Sequence, residues 1–433
     1  MTSSRFLTAA LVLALAAPAA AQNRPIIELG SPSFTPLPIA VAPFQADPDA
    51  RAVATEVTDV VRGDLALSGL FQVLDPRGFL ADPNEGFTAP QIRFARWADV
   101  GADGLVKARL RRNGPQLEGE LHLYEVGAGR EVLSQVHRVA AESPRELGHR
   151  FADEIVRYYT REPGVFRTKL VAVRKAGKGR ELVMFDADGK NPRVLVSDAA
   201  VMMLPAWRPD GREILVTSWR GGRPELWAYR FADRSFRRVL SVGNGAMDGV
   251  YSPDGTKIAF SATQGENTDL WVANADGSSP RRLTKEPGID VSPAWSPDGT
   301  RIAFVSNRAG SPQIYVMQAD GTSVRRLTFQ GNYNQTPTWS PRGDLIAFTA
   351  RDERRDFDVF VVAVDSGRIQ RITQDQGRTN EEPTWAPNGR LLAFTTDRNG
   401  PTQLVISNVA GDHQTMVASG SGLNAPAWGP LSD

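Results

Sequence analysis

A segment built around one aromatic residue, in most copies Pro-x-Trp followed by a proline-containing turn, recurs six times between residues 205 and 430. The aromatic residues lie at intervals of 44, 44, 44, 46 and 43 residues. Such a period is typical of a four-stranded propeller blade, which must pack against neighbouring blades to bury its apolar face. The repeat therefore predicts a β-propeller with the aromatic residues in its inter-blade core. These residues are Trp207, Tyr251, Trp295, Trp339, Trp385 and Trp428.

Each full repeat divides into four predicted strands. In the third copy, the Trp295 strand leads through Ser-Pro-Asp-Gly into the apolar run 301–305, and the proline and glycine of this segment suit a tight turn. The runs 313–317 and 324–328 follow, separated by Asp320-Gly321, a dipeptide that favours a hairpin. The same order of strands and turns recurs in the neighbouring copies.

The two ends of the repeat array complement each other. Residues 168–197 contain three strand patterns without a preceding Pro-x-Trp strand, and residues 424–430 contain a Pro-x-Trp strand without a following blade. Together they supply the four strands of one blade. We therefore expect an all-β, six-bladed propeller of WD40-like repeats at residues 164–433, in a ring closed by the last strand. Closure removes the open sheet edges that a linear array would expose.

Residues 22–163 lack the repeat and predict a small α/β domain. Helical periodicity is present over 50–67, and a second helix is expected over 89–98. A third helix should begin at Ser143-Pro-Arg-Glu146, which has the pattern of a capping box with proline at the first helical position, and should end near Tyr159. Glu162-Pro-Gly164 is the predicted hinge between the two domains.

The first 21 residues have the pattern of a cleaved secretory signal peptide. One charge, Arg5, precedes the apolar run 6–17, and the small residues 19–21 suit cleavage after Ala21. The run is shorter than the roughly 20 residues that span a bilayer, and no cysteine follows it to carry a lipid anchor. We therefore expect an exported protein without a membrane span. Because the chain has 0 cysteines, its stability must come from packing and topology.

The sequence contains no recognisable catalytic or metal-binding motif. None of the four histidines (His122, His137, His149, His413) pairs with another at metal-ligand spacing, and neither H-E-x-x-H nor G-x-S-x-G occurs. We therefore predict a non-enzymatic protein without a catalytic residue, metal or cofactor. The net charge of +1 gives no reason to expect a nucleic-acid partner.

Two sets of aspartates are expected to shape turns. Asp186-Ala-Asp188-Gly189 resembles the start of a calcium loop, but the rest of the twelve-residue pattern is missing, so a hairpin turn is expected. The second set recurs at one position of the blade, which favours a turn role over a carboxylate ring. It comprises Asp210, Asp254 and Asp298.

The segments before the aromatic strands differ from copy to copy while the rest of the repeat is preserved. We expect them to be loops at one mouth of the central channel. Their mixture of apolar, polar and acidic side chains suits a protein-binding surface. The candidate binding residues are Met202, Met203, Gly245, Asp248, Asp290, Val291, Asn334, Thr336, Asn380, Glu381 and Asn424.

The layout of leader, small α/β domain and six blades resembles the TolB family of the Tol-Pal envelope system over the whole chain. The blade pattern P-x-W-S-P-D-G-x-x-I-A-F, followed by I-Y-V-M and D-G-x-x-x-R-R-L-T, is similar to the blades of that family. The resemblance implies a monomeric, non-enzymatic periplasmic scaffold that supports outer-membrane integrity and constriction during cell division. It also implies binding of Pal, a peptidoglycan-associated outer-membrane lipoprotein, and possible contacts with other envelope proteins.

Residue by residue, the resemblance places Pal at the segments before the Pro-x-Trp strands, with Gly245, Asp248 and Val291 at the centre. The family tends to have histidine in the second segment, where this chain has Gly245. The resemblance also implies that a tail at residues 22–33 docks on TolA, where its apolar residues could add a strand to a sheet edge. The candidate tail residues are Arg24, Ile26, Ile27, Glu28 and Leu29.

Two other functions fit a propeller of this kind. One is an enzyme of the lyase or lactonase type, which would need a metal or a His/Tyr/Arg cluster in the channel. The other is a periplasmic receptor for small molecules or glycans. The histidine pattern counts against the enzyme.

Overall fold

The computed structural model describes residues 35–80, 82, 85–351, 356–418 and 422–431. The predicted leader and the predicted TolA-binding tail, including Arg24, Ile26, Ile27, Glu28 and Leu29, lie outside these residues. Within the described part of the chain, no helix is long and apolar enough to cross a membrane.

The N-terminal domain is a six-stranded mixed sheet with two long helices on one face. The strands pair in the order β3-β1-β4-β5-β6, and β2 also pairs with β4. The apolar residues of both helices pack on this face in one core with strand residues such as Ile39 and Val106. The elements are β1 (Leu37–Val41), β2 (Gln45–Ala46), α1 (Arg51–Leu67), β3 (Phe71–Val73), α2 (Phe94–Asp99), β4 (Gly104–Asn113), β5 (Gln116–Glu125), β6 (Arg130–Ala140) and α3 (Pro144–Thr160).

The helix predicted over 89–98 is wrong as a continuous element. A single 3₁₀ turn, Ala89–Gln91, is followed by extended backbone at Ile92, and α2 begins only at Phe94. The Glu85 carboxylate accepts a hydrogen bond from the Arg93 backbone N–H at 2.7 Å and another from Trp97 Nε1 at 3.0 Å. These bonds fix the chain in the bent path.

The third helix is confirmed, but its predicted capping box is wrong. The Ser143 side chain makes no capping hydrogen bond. Glu146 points along the helix instead, and its Oε1 lies 2.7 Å from Arg150 Nη2. A pair four residues apart on a helix stabilises it locally, and this pair replaces the predicted reciprocal cap.

Six four-stranded blades form the C-terminal domain, as predicted. The four strands of each blade are named a to d from the channel outward, and blade 1 takes its strand a from the end of the chain. Blade 1 comprises β30 (Leu423–Trp428), β7 (Lys169–Ala176), β8 (Gly179–Asp186) and β9 (Arg193–Asp198). Blade 2 comprises β10 (Met202–Trp207), β11 (Glu213–Ser218), β12 (Glu225–Arg230) and β13 (Phe236–Leu240), and blade 3 comprises β14 (Ala246–Tyr251), β15 (Lys257–Gln264), β16 (Asn267–Asn274) and β17 (Arg281–Arg282).

Blade 4 comprises β18 (Asp290–Trp295), β19 (Arg301–Ser306), β20 (Gln313–Gln318) and β21 (Arg325–Arg326). Blade 5 comprises β22 (Asn334–Trp339), β23 (Leu345–Arg351), β24 (Phe357–Ala363) and β25 (Ile369–Arg371), and blade 6 comprises β26 (Asn380–Trp385), β27 (Leu391–Thr396), β28 (Gln403–Asn408) and β29 (Gln414–Ala418).

The last strand closes the ring. β30 pairs antiparallel with β7, with Trp428 opposite Leu170. Trp428 is buried, and its Nε1 donates to Thr168 Oγ1 at 2.8 Å. At the next interface, Trp207 Nε1 donates to the Ala427 carbonyl at 3.1 Å. Each repeated aromatic residue also packs in an apolar cluster with residues of the preceding blade, which confirms their predicted place in the inter-blade core.

The repeated aspartates shape turns, as expected. The Asp254 carboxylate accepts hydrogen bonds from the Thr256 backbone N–H at 3.0 Å and from Ser252 Oγ at 2.5 Å. Gly255 closes this turn with φ of +68°, a conformation that glycine adopts without steric cost. Asp298 makes the same two contacts in blade 4, with Thr300 and Ser296.

The described residues of the N-terminal domain, from residue 35 onward, pack on one of the two propeller faces. In an antiparallel blade, the a–b and c–d turns lie at one face, and the b–c hairpins and d–a connections lie at the other. Glu162 Oε2 contacts Arg342 at 2.8 Å and Arg390 at 2.5 Å, and both arginines belong to a–b turns or their ends. The opposite face, formed by the b–c hairpins and d–a connections, is here called the mouth face.

The closing strand is expected to contribute strongly to stability. Replacing Trp428 by Ala should lower the free energy of unfolding by about 3–5 kcal/mol, because it leaves a cavity between the first and last strands. Leu431→Ala is the matched control, since Leu431 follows the same strand but is exposed. Its effect should stay within about 0.5 kcal/mol. Equal losses in denaturant titrations of the two variants would contradict a closing role for Trp428.

Candidate functional site at the mouth of the propeller channel

Every channel-lining strand contains a β-bulge at the same position. In each strand a the pairing register with strand b shifts between the second and the fifth residue. The third residue has a positive φ between 48° and 58°, although none of the six is glycine. Left-handed backbone is costly for such residues and often marks functional positions. The six residues are Leu204, Asp248, Ser292, Thr336, Glu382 and Ala425.

The six bulge residues surround a channel cavity of about 280 Å³ on the propeller axis. Asp248 in blade 3 and Glu382 in blade 6 stand on opposite walls, because three blades separate them in a ring of six. Asp248 Oδ2 accepts from the Ser292 backbone N–H at 3.2 Å. Glu382 Oε2 accepts from the Ala425 backbone N–H at 2.5 Å. Each carboxylate therefore ties its blade to the next one.

Burial changes the acidity of the channel carboxyl groups. It raises the pKa of Asp248 above the usual range, against the hydrogen bonds from Ser261 and Ser292, which lower it. Burial also raises the pKa of Glu382. At the neighbouring Glu381, burial and the charges of Glu382 and Asp397 together raise the pKa to about 7. The channel cavity thus has a small volume, and the acidic groups in its wall have lost part of their hydration.

Four of the predicted binding residues form the interior of the blades. Met202, Asp290, Asn334 and Asn380 are buried. Each is the first residue of its strand a, and the three polar ones bind within the propeller: Asp290 to Arg308 at 2.8 Å, Asn334 Nδ2 to Gln313 Oε1 at 2.9 Å, and Asn380 Nδ2 to Asp358 Oδ1 at 3.1 Å. The segments predicted as loops therefore contribute the first residues of each strand a, at its mouth-face end.

The other predicted residues lie closer to the channel and the mouth. Asp248 and Thr336 line the cavity. Val291 and Glu381 are half-buried, and Met203 and Asn424 are exposed. At Gly245 a Cβ atom would lie 2.4 Å from Cγ of Pro224, so a larger residue requires a shift of the chain there. Pro224 thus fills the space that a side chain at position 245 would enter.

Sequence reasoning missed two apolar residues and four of the six bulge residues. Ile289 and Phe329 lie in d–a connections of the mouth face, with 49% and 70% of their surface exposed. A signal for the bulge residues was present, because each is the residue directly before the repeated proline, or before Gly249 in the second copy. Ile289 belongs to the varying segment 288–292, but neither it nor Phe329 is marked individually, because each occurs once, outside the repeated pattern.

A second cluster of charged side chains joins the two domains. His149 Nδ1 lies 2.7 Å from Asp64 Oδ2 inside the N-terminal domain, and its Nε2 lies 3.8 Å from Asp186 Oδ2 of the propeller. Arg145 contacts Asp188 at 2.5 Å, and Lys169 contacts Asp186 at 2.6 Å. Asp186 and Asp188 shape the hairpin, as the sequence predicts, and they also bind the other domain.

Three ligand-type atoms of His149, Asp186 and Asp188 lie within 4.8 Å of one another. Both aspartates already bind the guanidinium of Arg145, and Asp186 also binds Lys169. With a protonated His149, three cations face the three carboxylates of Asp64, Asp186 and Asp188. We therefore assign the cluster to ion pairing between the domains. It borders a cavity of about 830 Å³, which also reaches Trp207.

The chain matches two protein-family models in the order of its two domains. Residues 25–132 match the TolB amino-terminal domain, and residues 156–432 match the TolB beta propeller domain. A Tol-Pal system protein TolB from Anaeromyxobacter dehalogenans is 68% identical over 434 residues, which cover 100% of both chains. The corresponding protein of Myxococcus xanthus is 48% identical over 215 residues, 49% of each chain.

A solved structure shows the same two-domain arrangement. The crystal structure of TolB from Acinetobacter baumannii superposes with a TM-score of 0.82 at 27% identity, and the match covers 92% of this chain and 97% of that one. A putative TolB from Agrobacterium tumefaciens superposes with a TM-score of 0.51 at 23% identity over 60% of this chain and 91% of that one, which supports the fold alone.

The interdomain cluster predicts a pH-dependent stability. Burial alone would lower the pKa of His149, but the charge of Asp64, its hydrogen bond with His149 and the nearby carboxylate of Asp186 outweigh it and raise the pKa to about 10. Because this value exceeds the ordinary pKa of 6.5, protonated His149 stabilises the folded protein. This contribution to the free energy of unfolding is complete below about pH 6.5 and is lost as the pH rises through 10.

The measurement is the free energy of unfolding of wild type and of the double variant His149→Gln/Asp64→Asn from pH 7 to 9.5, because burial raises the pKa of Asp64 to about 7 and the loss of His149 alone would leave that carboxyl to titrate. The wild type should lose up to about 1.4 kcal/mol per pH unit more than the variant, which corresponds to one proton. Taking the difference between the two profiles removes the titration of other groups. Parallel profiles would show that His149 does not carry this proton.

Proposed function

Because the chain belongs to the TolB family, a non-enzymatic component of the Tol-Pal system, we propose that it is a periplasmic scaffold linking the two membranes of the envelope. In this proposal the mouth face binds Pal, and the tail at residues 22–33 binds TolA. The scaffold thereby supports outer-membrane integrity and constriction of the envelope during cell division.

The observation that carries the Pal proposal is the difference between the two propeller faces. The N-terminal domain packs on the a–b and c–d turns, through contacts such as that of Glu162 with Arg390. The mouth face instead exposes Met203, Ile289 and Phe329, with Phe329 stacked under Arg326 at 4.9 Å from the ring centroid. Exposed aromatic and apolar groups beside a polar rim have the composition of a protein interface.

The TolA proposal rests on the sequence of the tail and on the family. The tail directly precedes β1 in the chain, and the match to the TolB amino-terminal domain begins at residue 25, within it. Ile26, Ile27 and Leu29 offer apolar side chains, and an extended peptide of this kind can add a strand to the sheet edge of a partner. The two binding sites would then lie in different domains.

The mouth site is tested by titrating Pal against variants of exposed residues. Phe329→Ala should weaken binding about 30-fold, because an aromatic side chain that anchors an interface is worth about 2 kcal/mol. Ile289→Glu should weaken it at least as much by placing a charge in the apolar contact. Both residues are exposed, so the fold should not change.

Val324→Glu is the matched control for these variants. Val324 belongs to blade 4, like Ile289, and is similarly exposed, but it lies on the c–d turn at the opposite face. Its binding should equal that of the wild type. If wild-type protein fails to bind Pal, the scaffold proposal is wrong; if Val324→Glu weakens binding as much as Ile289→Glu, the face has been misassigned.

The tail site is tested by removing residues 22–33 from the mature protein. The truncated protein should lose binding to the periplasmic part of TolA, because the proposed added strand is absent. Its unfolding midpoint should change little, since the deletion ends before β1. Isothermal titration would measure both partners, with Pal binding as the internal control. Undiminished TolA binding would refute the tail assignment.

A further inference from the structure

One sector of the mouth face is strongly basic. The b–c hairpin of blade 1 has the sequence Arg-Lys-Ala-Gly-Lys-Gly-Arg at residues 174–180, with cations at four of its seven positions. The next b–c hairpin, in blade 2, adds Arg220 and Arg223, both exposed. Because b–c hairpins lie at one face of the ring, these cations share the face that we propose for Pal. Blades 1 and 2 are adjacent, so the cations form one continuous sector.

The carboxylates of this sector are already paired with part of its cations. Glu181 contacts Arg174 at 2.5 Å, and Asp198 contacts Arg220 at 3.4 Å. Glu225 is buried and lies 3.4 Å from Arg238 of the outer strand and 3.8 Å from Arg223 of the hairpin. Among the described residues, Lys175, Lys178 and Arg180 have no ion-pair partner. A net excess of positive charge therefore faces solvent here.

The rest of the mouth face is mixed in sign. In the d–a connection before blade 4, Lys285 is followed directly by Glu286. In blade 6, Asp397 Oδ1 accepts from the backbone N–H of Arg378 at 2.8 Å. The whole chain has a net charge of only +1, so general basicity does not explain the sector. The positive charge is a local property of blades 1 and 2.

Two exposed apolar side chains lie within the basic sector. Val201 and Met203 have 42% and 37% of their surface exposed and belong to the connection and strand that lead from blade 1 into blade 2. Met203 lies opposite Thr217 on β11, the strand that leads into the Arg220 hairpin. Apolar contacts beside charged groups are the usual composition of an interface whose charges select the partner and accelerate its approach.

We propose that the basic sector of blades 1 and 2 binds an acidic surface patch on the lipoprotein partner and steers its association with the mouth. This inference rests on the proposed function and adds the charge of the partner surface and the part of the rim that receives it. A lipid surface fits less well, because juxtamembrane sites that bind anionic lipid cluster about four to eight basic residues. Among the described cations of this sector, three lack a carboxylate partner.

The experiment measures association rates of Pal by stopped flow with the double variant Lys175→Glu/Lys178→Glu. Both lysines are exposed on a hairpin, so the change should leave the fold intact. At about 50 mM salt the association rate should fall about tenfold while the dissociation rate changes little, since steering acts on approach. The difference should shrink at about 500 mM salt, where the Debye length is only a few ångströms.

The matched control is Lys190→Glu/Arg193→Glu, which makes the same charge change in the same blade. Both residues are exposed and lie at the c–d turn, on the opposite face. This control should keep the wild-type association rate at both salt concentrations. A reduction equal to that of the mouth variant would mean that only the net charge matters, which overturns the inference.

The other outcomes separate this inference from the proposed function. If Pal binds and Phe329→Ala weakens it, but Lys175→Glu/Lys178→Glu leaves the association rate unchanged, the basic sector is not used and the mouth site stands. If wild type binds no Pal, both fail together. If the double variant loses binding to phosphatidylglycerol vesicles while Pal association is unchanged, the sector recognises lipid and the inference is overturned.

Discussion

The pairing of β30 with β7 is the contact on which the rest of the structure depends. It joins residues more than 250 positions apart in the chain, such as Trp428 and Leu170. Without it, blade 1 would lack its channel strand and blade 6 would present an open flank. A chain with 0 cysteines has no disulfide to hold such distant segments together. Hydrogen bonding and the burial of Trp428 must therefore hold the ring closed.

Closure also determines what each propeller face can do. The turns at one face receive the N-terminal domain through the ion pairs of Glu162 and through the cluster around His149. That face is therefore occupied by the chain itself. The mouth face retains the exposed aromatic residue Phe329 and the basic hairpin at 174–180. The proposed binding groups thus lie on the face opposite the one that the described N-terminal domain covers.

The sequence predicted the large elements well because they follow from periodicity. Six blades, the strand order and the closing strand all follow from the spacing of Trp207 and its equivalents. Local chemistry was less predictable. The capping box at Ser143 failed because Glu146 pairs with Arg150 instead. The helix at 89–98 failed because Glu85, from an earlier segment, binds the Arg93 N–H.

The candidate site shows the same division between periodic and local information. The face was predictable, because the varying segments all precede strand a. The depth of each side chain was not, since the β-bulge after the second residue of strand a breaks the regular alternation of a strand. The first residues Asp290 and Asn380 bind inside their blades, whereas Asp248, the bulge residue, reaches the channel. The contact of His149 with Asp186 joins two domains and has no local sequence pattern.

The closing strand β30 also connects the channel of the propeller with the junction to the N-terminal domain. The Ala425 backbone N–H of β30 binds Glu382 in the channel, and Trp428 on the same strand binds Thr168 at the junction with the N-terminal domain. Four residues of extended strand span about 10 Å, so both contacts belong to one short element. The mouth and the junction therefore share one structural element, although their binding surfaces lie on opposite faces.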